Sequence, residues 1–523
     1  MGSNWPIHEL SEFINIKHGF AFKGENFKDE QTFDVLITPG NFSIGGGFKG
    51  DKLKYYDGPV PEDYILSEGD LVVTMTDLSK QADTLGYSAR IPSLDGHRIL
   101  HNQRVGLVEL KSDELDPTFL YYLLQSREYR HHVVSGATGT TVKHTSPTKI
   151  VSFSFRKPPK NTQILIGKHL MAIEAKEKLN ASFNQTLEQM AQALFKSWFV
   201  DFDPVFDNLL ASVDFNLDNL ETSLPDELKQ KAQRRLAALN SLENAAECKA
   251  SLIALAHELQ ALSQTKEATQ AAVQVSGKAA ETPVKANFNA NPTILAQHAN
   301  THAHFPNEFE QNEQLGWIPK GWDIKAVSEA IQINPRTSLS KGSVAKFADM
   351  KSIPTSGYMV DEIIEKLFSG GVKFKRNDIL LARITPCLQN GKTAWVDFLK
   401  EDEVGFGSTE FIVFRENNNI SFPFIACLAK DDSFRAHCMQ SMVGSSGRQR
   451  VQNACFDSYY LALPKSDVLK DMFTELTKPN FVKMTNNKLE SESLSKLRDT
   501  LLPKLISGEL QIPDVATDEE VVD

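Results

Sequence analysis

The sequence predicts an α+β protein: two homologous β-rich domains, each followed by a long α-helix, with the two helices packed as an antiparallel intramolecular coiled coil of pseudo-twofold symmetry. Three observations carry that prediction. Two long segments hold matched apolar stripes, the blocks before them share motifs at a nearly constant offset, and each block ends at proline just before its helix.

The first helix is expected over 161–200, a stretch with no proline and one glycine, Gly167. Phe183, Leu187, Met190, Leu194 and Trp198 step by four, three, four and four residues, the spacing of one helical face. The second is expected over 466–510, where Leu494, Leu497, Leu501 and Leu505 repeat Leu187, Met190, Leu194 and Trp198 at an offset of 307, with Asn180 and Asn487 in the same register. Neither stripe buries itself, and packing one on the other satisfies both.

The domains are expected at 1–160 and 316–465. The first begins W-P-I-H-E-L-S-E-F-I from Trp5 and the second W-D-I-K-A-V-S-E-A-I from Trp322, one pattern written twice. Further on, Gly69-Asp70-Leu71 answers Asn377-Asp378-Ile379, and Tyr129-Arg130 with His132 answers Phe434-Arg435 with His437. Short runs such as DLVVTM, RVGLVEL, DILLARI and EFIVFR read as strands, and PTFLYYLLQSREYRHHVV and FPFIACLAKDDSFRAHCM as amphipathic helices. Residues 201–315 form an acidic, Ala-rich spacer, helical over 227–264 and mobile over 274–304, and 511–523 form an acidic tail. An antiparallel helix pair needs such a return segment and sets one domain at each end of the rod.

At 523 residues the chain exceeds one core, and its 41% hydrophobic and 24% charged content is that of a globular protein. No apolar run reaches the ~18 residues that a membrane span requires, so a cytoplasmic protein without a membrane partner is expected. Five scattered cysteines (Cys248, Cys387, Cys427, Cys438, Cys455) make neither a disulfide framework nor a zinc ribbon. His298, His302 and His304 cluster in the spacer without supporting acids or cysteines, so no metal site is expected. The net charge of −11 is placed unevenly: 201–250 hold ten acids against five bases, and 511–523 hold five acids and no base. The two domain-and-helix blocks are left slightly cationic, which permits phosphate binding.

The segments ALFKSWFVDFDPV (193–205), FPNEFEQNEQLGWIPKGW (305–322) and LRDTLLPKLISGEL (497–510) resemble the specificity subunit of Type I restriction-modification systems, as do INIKHGFAFKGENF and GSTEFIVFR in the domains. The resemblance implies a non-catalytic subunit whose two target-recognition domains each read half of a bipartite, asymmetric sequence in double-stranded DNA. It further implies that the helices set the gap and dock two methyltransferase subunits, that restriction subunits join them, and that S-adenosylmethionine, ATP and Mg belong to those partners, with no cofactor on this chain. The spacer is longer than the family leads one to expect. About 39 helical residues at 1.5 Å span roughly 58 Å, enough to serve half-sites one ~34 Å turn apart.

Base edges are read by Arg, Lys, Asn and Gln, and phosphates by any cation or hydroxyl. Glycine-flanked polar loops supply the candidates: Lys49, Lys52 and Lys54 in GGGFKGDKLK; Thr140, Thr141, Lys143 and His144 in GATGTTVKH; Arg448, Gln449 and Arg450 in GSSGRQR. Arg383, Gln389 and Lys392 form a second candidate surface, with Arg90 in a comparable neighbourhood, while Arg130 and Arg435 suit a structural salt bridge as well as a phosphate contact. D-F-D-P at 201–204 lacks the second proline and aromatic of a methyltransferase tetrapeptide, and Gly45-Gly46-Gly47 lacks the G-K-[ST] ending of a phosphate loop. The competing readings are a DNA methyltransferase or nuclease with an unrecognised active site, and a purely structural protein-interaction scaffold.

Overall fold

The computed structural model describes residues 4–50, 52–79, 81–220, 224–276, 300–417 and 420–512, with only the backbone of 261–276. It divides into two compact units, Met1–Asn180 with Lys488–Asp523 and Ala181–Asn487.

In the first unit, Ile14–His18, Val105–Leu110, Leu71–Thr74 and Ser88–Arg90 lie side by side in that order. A second sheet runs Lys54–Tyr56, Asp34–Ile37, Arg98–His101, Ile65–Leu66, with Phe27–Lys28 added outside Lys54–Tyr56 and with Asp34–Ile37 parallel to Arg98–His101. Val35, Leu36, Val72 and Val73 are fully buried, which is why these strands read as unbroken apolar runs. The first strand, Ile7–Glu9, pairs with the last, Ser154–Arg156, so the chain leaves beside its point of entry.

The second unit repeats this plan. Gln332–Ile333, Phe411–Arg415, Ile379–Ala382 and Thr393–Trp395 take the first order; Ile363–Leu367, Val344–Ala348, Val404–Gly407 and Val372–Lys375 take the second, again with one parallel pair. Asp323–Ala326 pairs with Tyr460–Leu463. The repeated motifs acquire structural reasons here. The Asp70 carboxylate accepts from Ser67 N at 2.8 Å and that of Asp378 from Lys375 N at 2.7 Å, the same turn before the same strand. His132 and His437 each bond a carbonyl of the next turn, Lys149 O at 3.0 Å and Cys455 O at 2.9 Å.

The long helices are Lys160–Phe199 and Asp467–Ser507. In the first unit Ile166 and Leu170 share a core with Leu502, Leu505 and Ile506, Glu177 meets Arg498 at 3.1 Å, and Asn180 donates to Glu490 at 2.9 Å. Partner numbers fall as helix numbers rise, which defines an antiparallel pair. The second unit shows the same sense: Asn487 donates to Asn184 Oδ1 at 2.8 Å, and Phe473 packs on Phe195 and Phe199. The packing stripe is not the one that apolar spacing predicts. Phe183, Met190 and Leu497 are 49%, 56% and 47% exposed; Leu187, Leu194, Leu494 and Leu501 are half-buried; Trp198 and Leu505 are buried. The buried face runs through Asn180, Asn184, Glu188, Ala191 and Phe195, and its middle is polar. Counting apolar residues therefore traced its rim.

The spacer also differs from expectation. Asp203–Ala211, Asp226–Asn240 and Ala245–Ser276 are helices, and Leu210, Leu228, Ala232, Leu239 and Leu252 make their common core. The hairpin Phe309–Asn312/Gly316–Pro319 joins them through Phe309, 4.6 Å from the Phe206 ring. Most of the stretch expected to be mobile, 277–299, lies outside the described residues, as does His298. His302 is not a linker histidine. It is buried, its ring bonded to Asp207 at 3.0 Å.

Candidate nucleic-acid interface

Each domain carries a small closed loop between its second short helix and its last strand. In the first, Thr138 and His144 exchange both backbone bonds, at 3.0 and 2.9 Å. Gly139 has φ +94°, and a Cβ there would sit 2.0 Å from Val142 O, so the turn needs glycine. Thr140 and Thr141 stand exposed at its tip. Lys143–His144 pairs with Thr76–Asp77, and the His144 ring bonds Thr76 Oγ1 at 3.1 Å.

In the second domain Val443 and Arg450 close the loop through bonds of 3.1 and 3.0 Å, and Gly444 takes φ +137°. Arg448 is exposed, whereas Gln449 is half-buried and its backbone is tied to Thr385. Arg450 is a strut. Its guanidinium holds the Glu410 carboxylate at 2.6 to 3.0 Å, and this bond keeps the acid below the usual carboxylate range. Both loops are closed by a backbone pair, but Gly136 caps the helix outside the first closure whereas Gly444 and Gly447 lie inside the second, and the exposed side chains differ.

Other candidates fare unequally. The Asn41 amide, fully buried, donates to Lys49 O and Lys52 O, both at 3.2 Å, and so shapes the loop on which both lysines are exposed. Lys54 is paired with Asp29 at 2.9 Å. A cleft of about 500 Å³ brings Lys49 together with Ile44, Asp77 and Leu78, at the base of the Thr140 loop. Ile44 and Leu78, 74% and 65% exposed, were not candidates by residue type; only their exposure beside a polar loop marks them. Arg90 belongs to the scaffold, bonded to Thr118 Oγ1 at 2.8 Å and lying over the Tyr121 ring. Lys392 Nζ is held by Met350 O at 2.7 Å, so of its predicted surface Gln389 remains exposed and Arg383 lines a separate cleft. Arg130 bonds Ala82 O at 2.7 Å over the Tyr87 ring, and Arg435 bonds Asp432 at 2.7 Å, which are structural roles.

Residues 2–189 match the family model of the Type I restriction modification DNA specificity domain. The chain is 24% identical over 416 residues to the HindI specificity subunit of Haemophilus influenzae, covering 77% of this chain and 80% of that protein. Residues 2–189 thus match a Type I restriction modification DNA specificity domain, and the wider chain is similar to specificity subunits. The EcoEI specificity subunit of Escherichia coli is 29% identical over 193 residues, 36% of this chain and 32% of its own length. A crystal structure of the S subunit from M. genitalium aligns with 98% of this chain and 97% of its own, at 15% identity and a TM-score of 0.45. The matched segment ends inside the first long helix, while the same strand order recurs at 323–463, beyond the match. No helix among the described residues is long and apolar enough to cross a membrane.

Proposed function

We propose that residues 1–160 and 316–465 are two target-recognition domains, each reading one half of a bipartite, asymmetric DNA sequence, and that the long helices at 161–200 and 466–510 set the gap. The observation that carries this reading is one fold with two contents. The domains share a strand order and a glycine-closed loop, yet one loop offers Thr140 and Thr141 and the other Arg448. Hydroxyls and a guanidinium select different base edges, so the half-sites differ.

The exposed Met171, Leu179, Phe183, Met190, Val482 and Leu489 on the long helices support docking of two methyltransferase subunits, since large apolar side chains left in water mark interaction surfaces. Restriction subunits complete the assembly in the cytoplasm, and S-adenosylmethionine, ATP and Mg are used by those partners. A reconstituted methylation assay tests the reading. The chain alone transfers no methyl group, and with its methyltransferase it directs methylation to one split motif; methyl transfer by the chain alone refutes it.

A further inference from the structure

We propose that a recess in the second domain, lined by Asn334, Lys373, Arg383 and Thr409, is a seat for a phosphodiester of the DNA backbone; the proposal rests on the DNA-reading function above. The recess is about 260 Å³ and its lining includes two cations and no carboxylate. At ~30 Å³ per water, it has room for a phosphate and its nearest waters. Lys373 and Arg383 make no ion pair among the described residues. The adjacent acid, Glu410, is already held by Arg450.

Arg383 carries the argument. Its side chain lines the recess; among the described residues its Nε is buried without a hydrogen-bond partner, and its side chain makes one long bond, from Nη2 to Val451 O at 3.5 Å. A guanidinium left short of acceptors is unfavourable, so an anion brought to this side chain is favoured. What enters must bring an acceptor. A phosphodiester projects from the duplex and carries negative charge, whereas the edge of a stacked base does not reach into a recess.

The recess also lies where a duplex would pass. Val451 N donates to Arg383 O at 2.9 Å, and Ile384 bridges Arg450, so Arg383 sits at the root of the loop that presents Arg448. A base contact at Arg448 brings the neighbouring backbone to Arg383. Gly371, at φ +115° with a would-be Cβ 2.2 Å from Gly407 O, keeps the floor of the recess free of side chain.

The test measures binding of the full-length chain, assembled with its methyltransferase partner, to two duplexes across a salt series: one with the recognised motif and one of mixed sequence. Arg383→Gln and Lys373→Gln are each expected to weaken both duplexes equally, by about tenfold, and to lower the slope of log K against log salt by about 1. Arg383→Lys, which keeps the charge, is expected to restore most of the slope. Thr409→Glu, which places an acid in the recess without touching either cation, is expected to weaken both duplexes as well. Variants with the wild-type slope, or a loss confined to the motif duplex, overturn the phosphate seat and leave DNA reading intact. A wild-type complex that binds neither duplex overturns both.

Discussion

Asp207 illustrates how one side chain organises a segment that composition describes as a spacer. It is fully buried, its carboxylate takes two 2.7 Å bonds from Arg235 and one of 3.0 Å from the His302 ring, and Arg235 also meets Asp203 at 3.3 Å. Burial pushes the Asp207 carboxyl up, but the Arg235 and His302 bonds outweigh it and hold the group below the usual carboxylate range. A lowered acid stabilises the fold above its unfolded value of about 3.9 and loses that stabilisation as pH falls through the folded value. Asp207→Asn, which leaves the buried His302 without its anion and the half-buried Arg235 with Asp203 alone, should cost about 3 kcal/mol at neutral pH. Urea unfolding followed by tryptophan fluorescence should show the gap between wild type and variant closing below about pH 4; a gap independent of pH contradicts this role. None of this was legible in advance. His302 and Asp207 are 95 residues apart, and only the folded chain shows that they meet. The same holds for Asn41 and for Arg383, whose roles are set by carbonyls and recesses that sequence does not display.

At the scale of elements, the two long helices were readable and their contact faces were not. The first helix follows from a proline-free stretch with recurring apolar residues, whereas the second runs on through Pro479 and Pro503. Facing, by contrast, depends on which side chains find partners, and here Asn184, Asn487, Glu177 and Arg498 do so. The polar middle has a physical use. An amide that bonds only one partner position penalises slipped registers, as a lone Asn does in a coiled coil. Asn184→Leu removes the acceptor at 2.8 Å from Asn487 and should destabilise by about 1–3 kcal/mol. Asn184→Leu with Asn487→Leu should recover that loss or exceed it, because a matched apolar pair replaces a matched polar one. Melting temperatures of the wild type and the two variants check the claim, and a double variant no more stable than the single one contradicts it.

For the molecule as a whole, duplication was the most legible property, since the Trp5 and Trp322 patterns and the Asp70 and Asp378 turns survive in sequence. The structure extends it to a shared strand order and a shared loop closure, where sequence similarity has largely been lost. The central claim is that each domain reads its own half of the target. Long-read mapping of methylated bases tests it most directly, in cells lacking the chromosomal gene and complemented with wild type or with a chain whose 444–450 loop is exchanged. One half of the motif is expected to change while the other half and the gap are kept. A change in both halves, or in the gap alone, would contradict it.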